Sequence, residues 1–180
     1  MNIVLIGYRG TGKSTIGKKL AERLRRDFVD TDTLLVERAG KTIKQIFETE
    51  GEPGFRDREA AVIAEVANRD NLVIAVGGGA VLRPANVTAL KKNGRLIWLQ
   101  ANATVLHARI TADPATAANR PNLLAGGGGG AAEIEILLAA RTPLYKAAAD
   151  ATLDVTNLSV EQAVEALNHI ALALAEIEAR

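Results

Sequence analysis

The chain has 180 residues, of which 22 are basic and 21 are acidic, and it contains no cysteine. The near balance of charge excludes a broadly basic nucleic-acid surface, and the lack of cysteine excludes disulfides, thiolate metal sites and thiol catalysis. A chain of this length is typical of one domain with its own hydrophobic core. We therefore expect a single domain over residues 1–180 that does not bind nucleic acid.

The same features predict where the protein is found. The first apolar run, NIVLIG from Asn2, is too short for the hydrophobic part of a signal sequence or for a membrane span. The absence of cysteine fits the reducing cytosol. We expect a cytoplasmic protein without membrane contact, and we expect it to be a monomer.

Apolar runs alternate with helical patterns along the chain. Strands are predicted at NIVLIG from Asn2, DFVDTD from Asp27, NLVIAVGGG from Asn71, RLIWLQ from Arg95 and ATLDVT from Ala151. Helices are predicted over 14–25, 59–68, 86–92, 101–111 and 132–149, and a capping-box pattern at 159–162 predicts a last helix. Strands that are apolar at nearly every position are typical of a parallel sheet. The alternation predicts a right-handed, doubly wound α/β fold.

A phosphate-binding loop is predicted between the first strand and the first helix. The segment GYRGTGKST has glycines at Gly7 and Gly12, followed by Lys13 and Ser14. Backbone N–H groups in such a loop converge on phosphate oxygens, and the start of the helix adds a positive end. Lys13 is expected to reach the β and γ phosphates, and Ser14 to coordinate Mg²⁺. The predicted ATP-binding residues of this loop are Gly10, Thr11, Gly12, Lys13, Ser14 and Thr15.

Two aspartates lie at the C-terminal end of the second predicted strand, where ligands bind in open α/β sheets. Asp30 and Asp32 are two residues apart, and side chains at this spacing share one side of an extended segment. One carboxylate is expected to help hold Mg²⁺, and the other to orient an attacking hydroxyl group. An alternative is that Asp32 caps a helix that starts near Leu34.

Two further segments are candidates for contact with an acceptor molecule. Arg56 follows Phe55 in GEPGFRDRE, and a guanidinium group can hold a carboxylate in a planar fork. Taken alone, however, this segment favours surface charge at a helix start. Three glycines, Gly77, Gly78 and Gly79, end the third strand, where a ligand can contact the main chain directly.

The chain resembles the shikimate kinases, from the first strand to the last helix. The features that support this resemblance are, in chain order, the phosphate loop, Asp30-x-Asp32, Phe55-Arg56, Gly77 to Gly79, Arg-Pro at Arg120 and RTPLY from Arg141. The resemblance implies a P-loop fold of the nucleoside-monophosphate-kinase type, with three αβα layers and a five-stranded parallel sheet ordered 2-3-1-4-5. It also implies the transfer of the γ-phosphate of ATP, with Mg²⁺, to the 3-hydroxyl of shikimate, a step towards chorismate and the aromatic amino acids.

The resemblance assigns roles to individual residues within a substrate-binding subregion at about 32–61. It implies that Asp32 binds the acceptor hydroxyls and orients or deprotonates the attacking one, and that Asp30 lies near Mg²⁺ with Ser14. Arg56 and Arg141 would clamp the carboxylate of shikimate. Gly78 and Gly79 would offer backbone N–H groups to the ring hydroxyls, and Gly77 completes the predicted substrate-binding residues.

The resemblance also implies a lid at about 112–131. Arg120 would reach from this lid to the phosphates and to the acceptor, as a catalytic and ATP-binding residue beside Lys13. Arg109 would stack on adenine. The lid departs from the family pattern, because RPNLL contains Asn122 as an insertion and five consecutive glycines follow at 126–130. Glycine gives such a segment maximal backbone freedom.

Other functions remain open on the sequence alone. The acceptor could be quinate, gluconate or a nucleotide, because the phosphate loop does not identify the molecule that receives the phosphate. A non-catalytic nucleotide-binding module is a further alternative, although such a module is expected to have lost one or more of the residues named above.

Overall fold

The computed structural model describes residues 1–113 and 130–178. Five strands of this part of the chain form one parallel sheet in the order β2-β3-β1-β4-β5. They are β1 (Asn2–Ile6), β2 (Asp27–Asp30), β3 (Leu72–Ala75), β4 (Gly94–Gln100) and β5 (Ala151–Asp154). The predicted strands and sheet order are confirmed. Arg120, Asn122 and most of the predicted lid lie outside the described residues.

Helices connect the strands and cover both faces of the sheet. Those of the described ranges are α1 (Lys13–Leu24), α2 (Thr31–Ala39), α3 (Ile43–Ala67), α4 (Pro84–Lys92), α5 (Ala103–Thr111), α6 (Ala131–Ala148) and α7 (Val160–Glu178), with a short 3-10 helix at Ala80–Leu82. α3 is kinked at Gly51, whose φ is 70°. The sequence patterns predict only the second half of α3, because GEPG suggests a break where the chain makes a kink.

The alternation of side chains along the central strands produces two hydrophobic layers. Val4 and Ile6 point to the layer formed with α3, α4 and α6, whereas Ile3 and Leu5 point to the layer formed with α1 and α7. All residues of β1 and β3 are buried. This explains why both strands are apolar at nearly every position.

The order of the strands positions the functional loops. β3 lies between β2 and β1, and all three strands are parallel, so their carboxyl ends meet at one edge of the sheet. The phosphate loop follows β1, the two aspartates lie at the end of β2, and the glycine triplet follows β3. Segments that are far apart in the sequence are thereby brought side by side.

None of the helices in the described ranges combines the length and the apolar character that a membrane crossing requires.

The capping box predicted at the start of α7 is present. The N–H of Gln162 donates to Ser159 Oγ at 3.1 Å, and the N–H of Ser159 donates to Gln162 Oε1 at 2.9 Å. α7 packs against α1, and Lys19 forms an ion pair with Glu161 at 2.6 Å across the two helices. The cap therefore begins a helix that, together with α1, covers one face of the sheet.

We predict that Ser159→Ala lowers the free energy of unfolding by about 1 kcal/mol, because the first turn of α7 loses an acceptor for a backbone N–H group. Urea denaturation followed by circular dichroism measures this change. Ser159→Asp is the matched control, since its carboxylate can cap the same turn, and it should remain close to wild type. Equal stability of the alanine and aspartate variants would contradict the prediction.

Candidate active site

The phosphate loop joins β1 to α1. Gly12 adopts a left-handed conformation with φ 86° and caps α1. At Gly7, where φ is 140°, a Cβ atom would lie only 2.3 Å from the carbonyl oxygen of Leu99, so no other residue fits there. The Nζ of Lys13 is buried and donates to the carbonyl oxygens of Gly7 and Tyr8 at 2.7 and 2.9 Å. These hydrogen bonds hold the lysine side chain against the backbone of the phosphate loop.

The loop forms one wall of a phosphate pocket with an empty volume of about 900 Å³. The predicted residues of the loop and of the aspartate pair that line it are Gly10, Gly12, Lys13, Ser14, Thr15, Asp30 and Asp32, and the predicted Gly77 and Gly78 line it as well. Thr11 does not line this pocket, because its hydroxyl group donates to the carbonyl oxygen of Tyr8 at 2.8 Å inside the loop. Arg109 lines the pocket and donates to the carbonyl oxygen of Val155 at 3.0 Å. The predicted stacking of Arg109 on adenine stays a prediction.

The two aspartates differ in their local structure. Asp30 is the N-cap of α2, and its Oδ1 accepts the N–H groups of Asp32 and Thr33 at 3.0 and 3.2 Å. Its Oδ2 accepts the hydroxyl group of Ser14 at 2.5 Å. The alternative that Asp32 caps this helix is therefore wrong. Asp32 lies in the first turn of α2, not on an extended segment as expected, and it is buried, with 8% of its surface exposed.

A second, smaller cavity of about 500 Å³ adjoins the phosphate pocket, and we call it the acceptor pocket. Asp32, Arg56 and Arg141 all line it. The Arg56 guanidinium lies 5.2 Å from the centre of the Phe55 ring, and the Arg141 guanidinium lies 5.7 Å from that of Tyr8. The Arg56 side chain is only 13% exposed, so the expectation of a simple surface charge is wrong.

Gly77 and Gly78 line both pockets, and Gly79 lines the acceptor pocket alone. At Gly77, a Cβ atom would lie 2.7 Å from Asp32 Oδ1 and 2.9 Å from Glu59 Oε1, so glycine makes room for both carboxylates. The carbonyl oxygens of Gly77, Gly78 and Gly79 accept hydrogen bonds from protein donors.

Tyr145 holds the centre of the triplet. Its hydroxyl group donates to the carbonyl oxygen of Gly78 at 2.5 Å, and its ring stacks on Trp98 with the ring centres 5.7 Å apart. Burial raises the pKa of Tyr145 to about 12. The phenol therefore stays protonated at neutral pH and remains a donor to the triplet.

Glu59 is a site residue that the sequence does not identify. Its side chain is 1% exposed, and Arg56 Nη1 donates to its Oε2 at 2.8 Å. Its Oε1 has no hydrogen-bond partner among the described residues. Burial raises the pKa of Glu59 above its ordinary value, and the neighbouring Arg56 guanidinium offsets only part of that rise. The available sequence signal is the spacing of three residues between Arg56 and Glu59, which places both on one face of a helix.

The oxygen groups near the phosphate loop fit a magnesium ion. In residues 1–113 and 130–178, no cluster of three or more His, Cys, Asp or Glu side chains forms a metal cage. Mg²⁺ commonly keeps several waters and takes one or two protein oxygens together with phosphate oxygens. The Ser14 hydroxyl group, with Asp30 beside it, matches that requirement.

The sheet order, the phosphate loop and the paired pockets define a phosphotransferase of the P-loop, nucleoside-monophosphate-kinase-like fold. The shikimate kinase family model matches residues 9–171, and the chain belongs to the shikimate kinase family.

Relatives and solved structures agree with this membership. The shikimate kinase of Symbiobacterium thermophilum is 46% identical over 164 residues, which cover 91% of this chain and 92% of the relative. That of Pelotomaculum thermopropionicum is 43% identical over 168 residues, which cover 93% and 94%. The structure of the Acinetobacter baumannii shikimate kinase in complex with shikimate has a TM-score of 0.84 and 37% identity, and the match covers 98% of this chain and 93% of that one.

The raised pKa of Glu59 predicts a specific pH dependence of stability. The folded chain holds this proton more tightly than the unfolded chain does, so its contribution to stability is complete at low pH and is lost as the pH rises through the raised pKa. We expect Glu59→Gln, which cannot ionise, to gain melting temperature relative to wild type as the pH rises from about 4 to about 8.

Thermal unfolding at a series of pH values measures this difference. Glu50→Gln is the control of opposite sign, because Arg58 lowers the pKa of Glu50, whose side chain is 25% exposed. That variant should lose melting temperature relative to wild type over the same pH range, and by a smaller amount, because solvent screens the Glu50–Arg58 pair. A pH-independent difference between wild type and Glu59→Gln would contradict the prediction.

Proposed function

We propose that this protein transfers the γ-phosphate of ATP to the 3-hydroxyl of shikimate and releases ADP and shikimate 3-phosphate. The observation that supports this most strongly is the adjacency of the two pockets. The acceptor pocket, lined by three guanidinium groups and two carboxylates, opens beside the phosphate loop. Shikimate is a small ring with one carboxylate and several hydroxyl groups, and these side chains match those groups. Family membership supports the same activity.

The acceptor side of the reaction is assigned as follows. Arg56 and Arg141 hold the carboxylate of shikimate, because a guanidinium group binds a carboxylate through two parallel hydrogen bonds. Asp32 accepts a hydrogen bond from the attacking hydroxyl group and orients it towards phosphorus. Glu59 keeps Arg56 in place through their buried ion pair. The N–H groups of the glycine triplet bind the ring hydroxyls.

The phosphate side is assigned to the loop. Lys13 and the backbone N–H groups bind the β and γ phosphates. They stabilise the negative charge on the phosphate oxygens most strongly in the transition state. Ser14 would hold Mg²⁺, which would neutralise phosphate charge when it is bound. Both carboxylate oxygens of Asp30 already accept hydrogen bonds, so we assign Asp30 to orienting Ser14 and the metal's waters. Arg120 is assigned to the transferred phosphoryl group from the lid.

The organisation of the chain is part of the proposal. One sheet includes strands from residue 2 to residue 154, which supports a single kinase domain over 1–180 with a substrate-binding subregion at about 32–61 and a lid at about 112–131. The monomeric state and the cytoplasmic location stay predictions from the sequence.

The alternative functions receive less support. A non-catalytic nucleotide-binding module has no need for an acceptor pocket in which Asp32, Arg56 and Arg141 meet beside the phosphate loop. Gluconate and quinate both have a carboxylate and hydroxyl groups, so they are the relevant competing acceptors. They differ from shikimate in shape, and a pocket with fixed arginines on one side discriminates by the distance from carboxylate to hydroxyl.

ADP release tests the proposal directly. Purified protein is given ATP with shikimate, quinate, gluconate or no acceptor, each with and without Mg²⁺. We expect rapid ADP release only with shikimate and Mg²⁺, and much slower release with methyl shikimate, which lacks the carboxylate charge. ATP binding without acceptor-dependent ADP release would support the non-catalytic module. Faster ADP release with gluconate or quinate than with shikimate would identify that compound as the substrate instead.

We predict that Asp32→Asn lowers kcat by about 10²-fold or more, because the amide cannot take the proton of the attacking hydroxyl group. The affinity for ATP should change little, since the carboxylate acts on the acceptor. Steady-state kinetics and equilibrium ATP binding measure the two effects. Asp57→Asn, on an exposed aspartate paired with Arg83, is the matched control and should leave kcat unchanged. A normal kcat in Asp32→Asn would exclude the assigned role.

A further inference from the structure

Four residues line both the acceptor pocket and the phosphate pocket: Arg9, Asp32, Gly77 and Gly78. The γ-phosphate passes from one pocket to the other during transfer, so groups that border both pockets are the ones placed to contact it. Arg9 is the single cation of this set. Lys13 lines only the phosphate pocket, and Arg56 and Arg141 line only the acceptor pocket.

The position of Arg9 is fixed by the backbone on both sides. It lies in the phosphate loop between two glycines with positive φ, Gly7 and Gly10. Across the mouth of the pockets, a Cβ atom at Gly78 would lie 3.4 Å from the backbone nitrogen of Arg9. The glycine triplet and the phosphate loop therefore meet closely at residue 9, and the Arg9 side chain starts at the boundary between the pockets.

The guanidinium group of Arg9 has hydrogen-bonding capacity that the described residues do not use. Its Nε is buried and has no hydrogen-bond partner in that part of the chain. Its Cζ lies 6.0 Å from the centre of the Tyr8 ring, while the Arg141 guanidinium lies 5.7 Å from the same ring. A buried donor without an acceptor is costly, and an anionic ligand oxygen would satisfy it.

We propose that Arg9 is a further catalytic residue, which contacts the phosphoryl group during its transfer. This inference rests on the proposed kinase function. In the step, the bond between the γ phosphorus and the oxygen that bridges to the β phosphorus breaks, and a bond forms between phosphorus and the acceptor hydroxyl oxygen. The hydroxyl proton passes to Asp32, and ADP keeps the bridging oxygen. Negative charge on the transferring oxygens is stabilised by the Arg9 guanidinium group.

Arg9→Met tests the inference, since methionine keeps most of the apolar stem and removes the donors. We expect kcat to fall by about 10²-fold, the size of the loss when one preorganised donor to a transition-state charge is removed. The dissociation constants of ATP and shikimate should change little. Aluminium fluoride imitates the transferring phosphoryl group when MgADP and shikimate are bound. The affinity of the protein for aluminium fluoride under these conditions should fall in parallel with kcat.

Arg69→Met is the matched control, because Arg69 is exposed and lines neither pocket. It should leave kcat unchanged. A normal kcat in Arg9→Met would overturn the inference, and so would a raised KM for shikimate at unchanged kcat, which would indicate ground-state binding only. If Arg9→Met has a lowered melting temperature, Arg9→Gln serves instead, with the same expected fall in kcat, and wild-type kcat in that variant would also overturn the inference.

Failure of the underlying function is a separate outcome. If the wild-type protein releases no ADP with shikimate, the proposed kinase function fails, and the Arg9 inference fails with it. If the wild type is active and Arg9→Met is as active as Arg69→Met, only the role of Arg9 fails.

Discussion

The site depends on one constraint, the parallel pairing of β2, β3 and β1 in a single sheet. Their carboxyl ends lie next to one another. The residues at and directly after these ends supply the aspartate pair at the start of α2, the glycine triplet and the phosphate loop. The helices that return the chain to the opposite edge fill the two core layers. The chemistry of phosphoryl transfer is largely positioning and charge neutralisation, so a rigid edge of this kind is a suitable scaffold.

Buried charged side chains around this edge have either an opposite charge or an aromatic ring beside them. Arg56 meets Glu59 at 2.8 Å, and a guanidinium group rests against each of the aromatic rings of Phe55 and Tyr8. Ions in a poorly hydrated pocket are costly unless they have partners, and these contacts supply some of them. The absence of a Cβ atom at Gly77 is part of the same arrangement, because two carboxylates occupy the space that a side chain would need.

The sequence predicts the strands, the sheet order and the phosphate loop because each has a local signal or a family pattern. The residues alone do not show which of Asp30 and Asp32 caps α2, since either residue can cap a helix and the answer depends on where α2 begins. The kink at Gly51 hides the first half of α3 for a similar reason: glycine and proline signal a break but do not say how the chain continues. Glu59 is identified as a site residue by its tertiary contact with Gly77, and Arg9 by its position at the boundary of the two pockets.

The double use of Asp30 affects how any variant at this position should be interpreted. One carboxylate oxygen begins α2 and the other holds the Ser14 hydroxyl group, so the nucleotide wall and the helix that bears Asp32 share a single side chain. Replacing Asp30 with alanine would remove a helix cap worth about 1 kcal/mol along with the partner of Ser14. Loss of activity in such a variant would therefore not show that Asp30 is a magnesium ligand. That conclusion needs a change in Mg²⁺ affinity in a variant in which the start of α2 is unchanged.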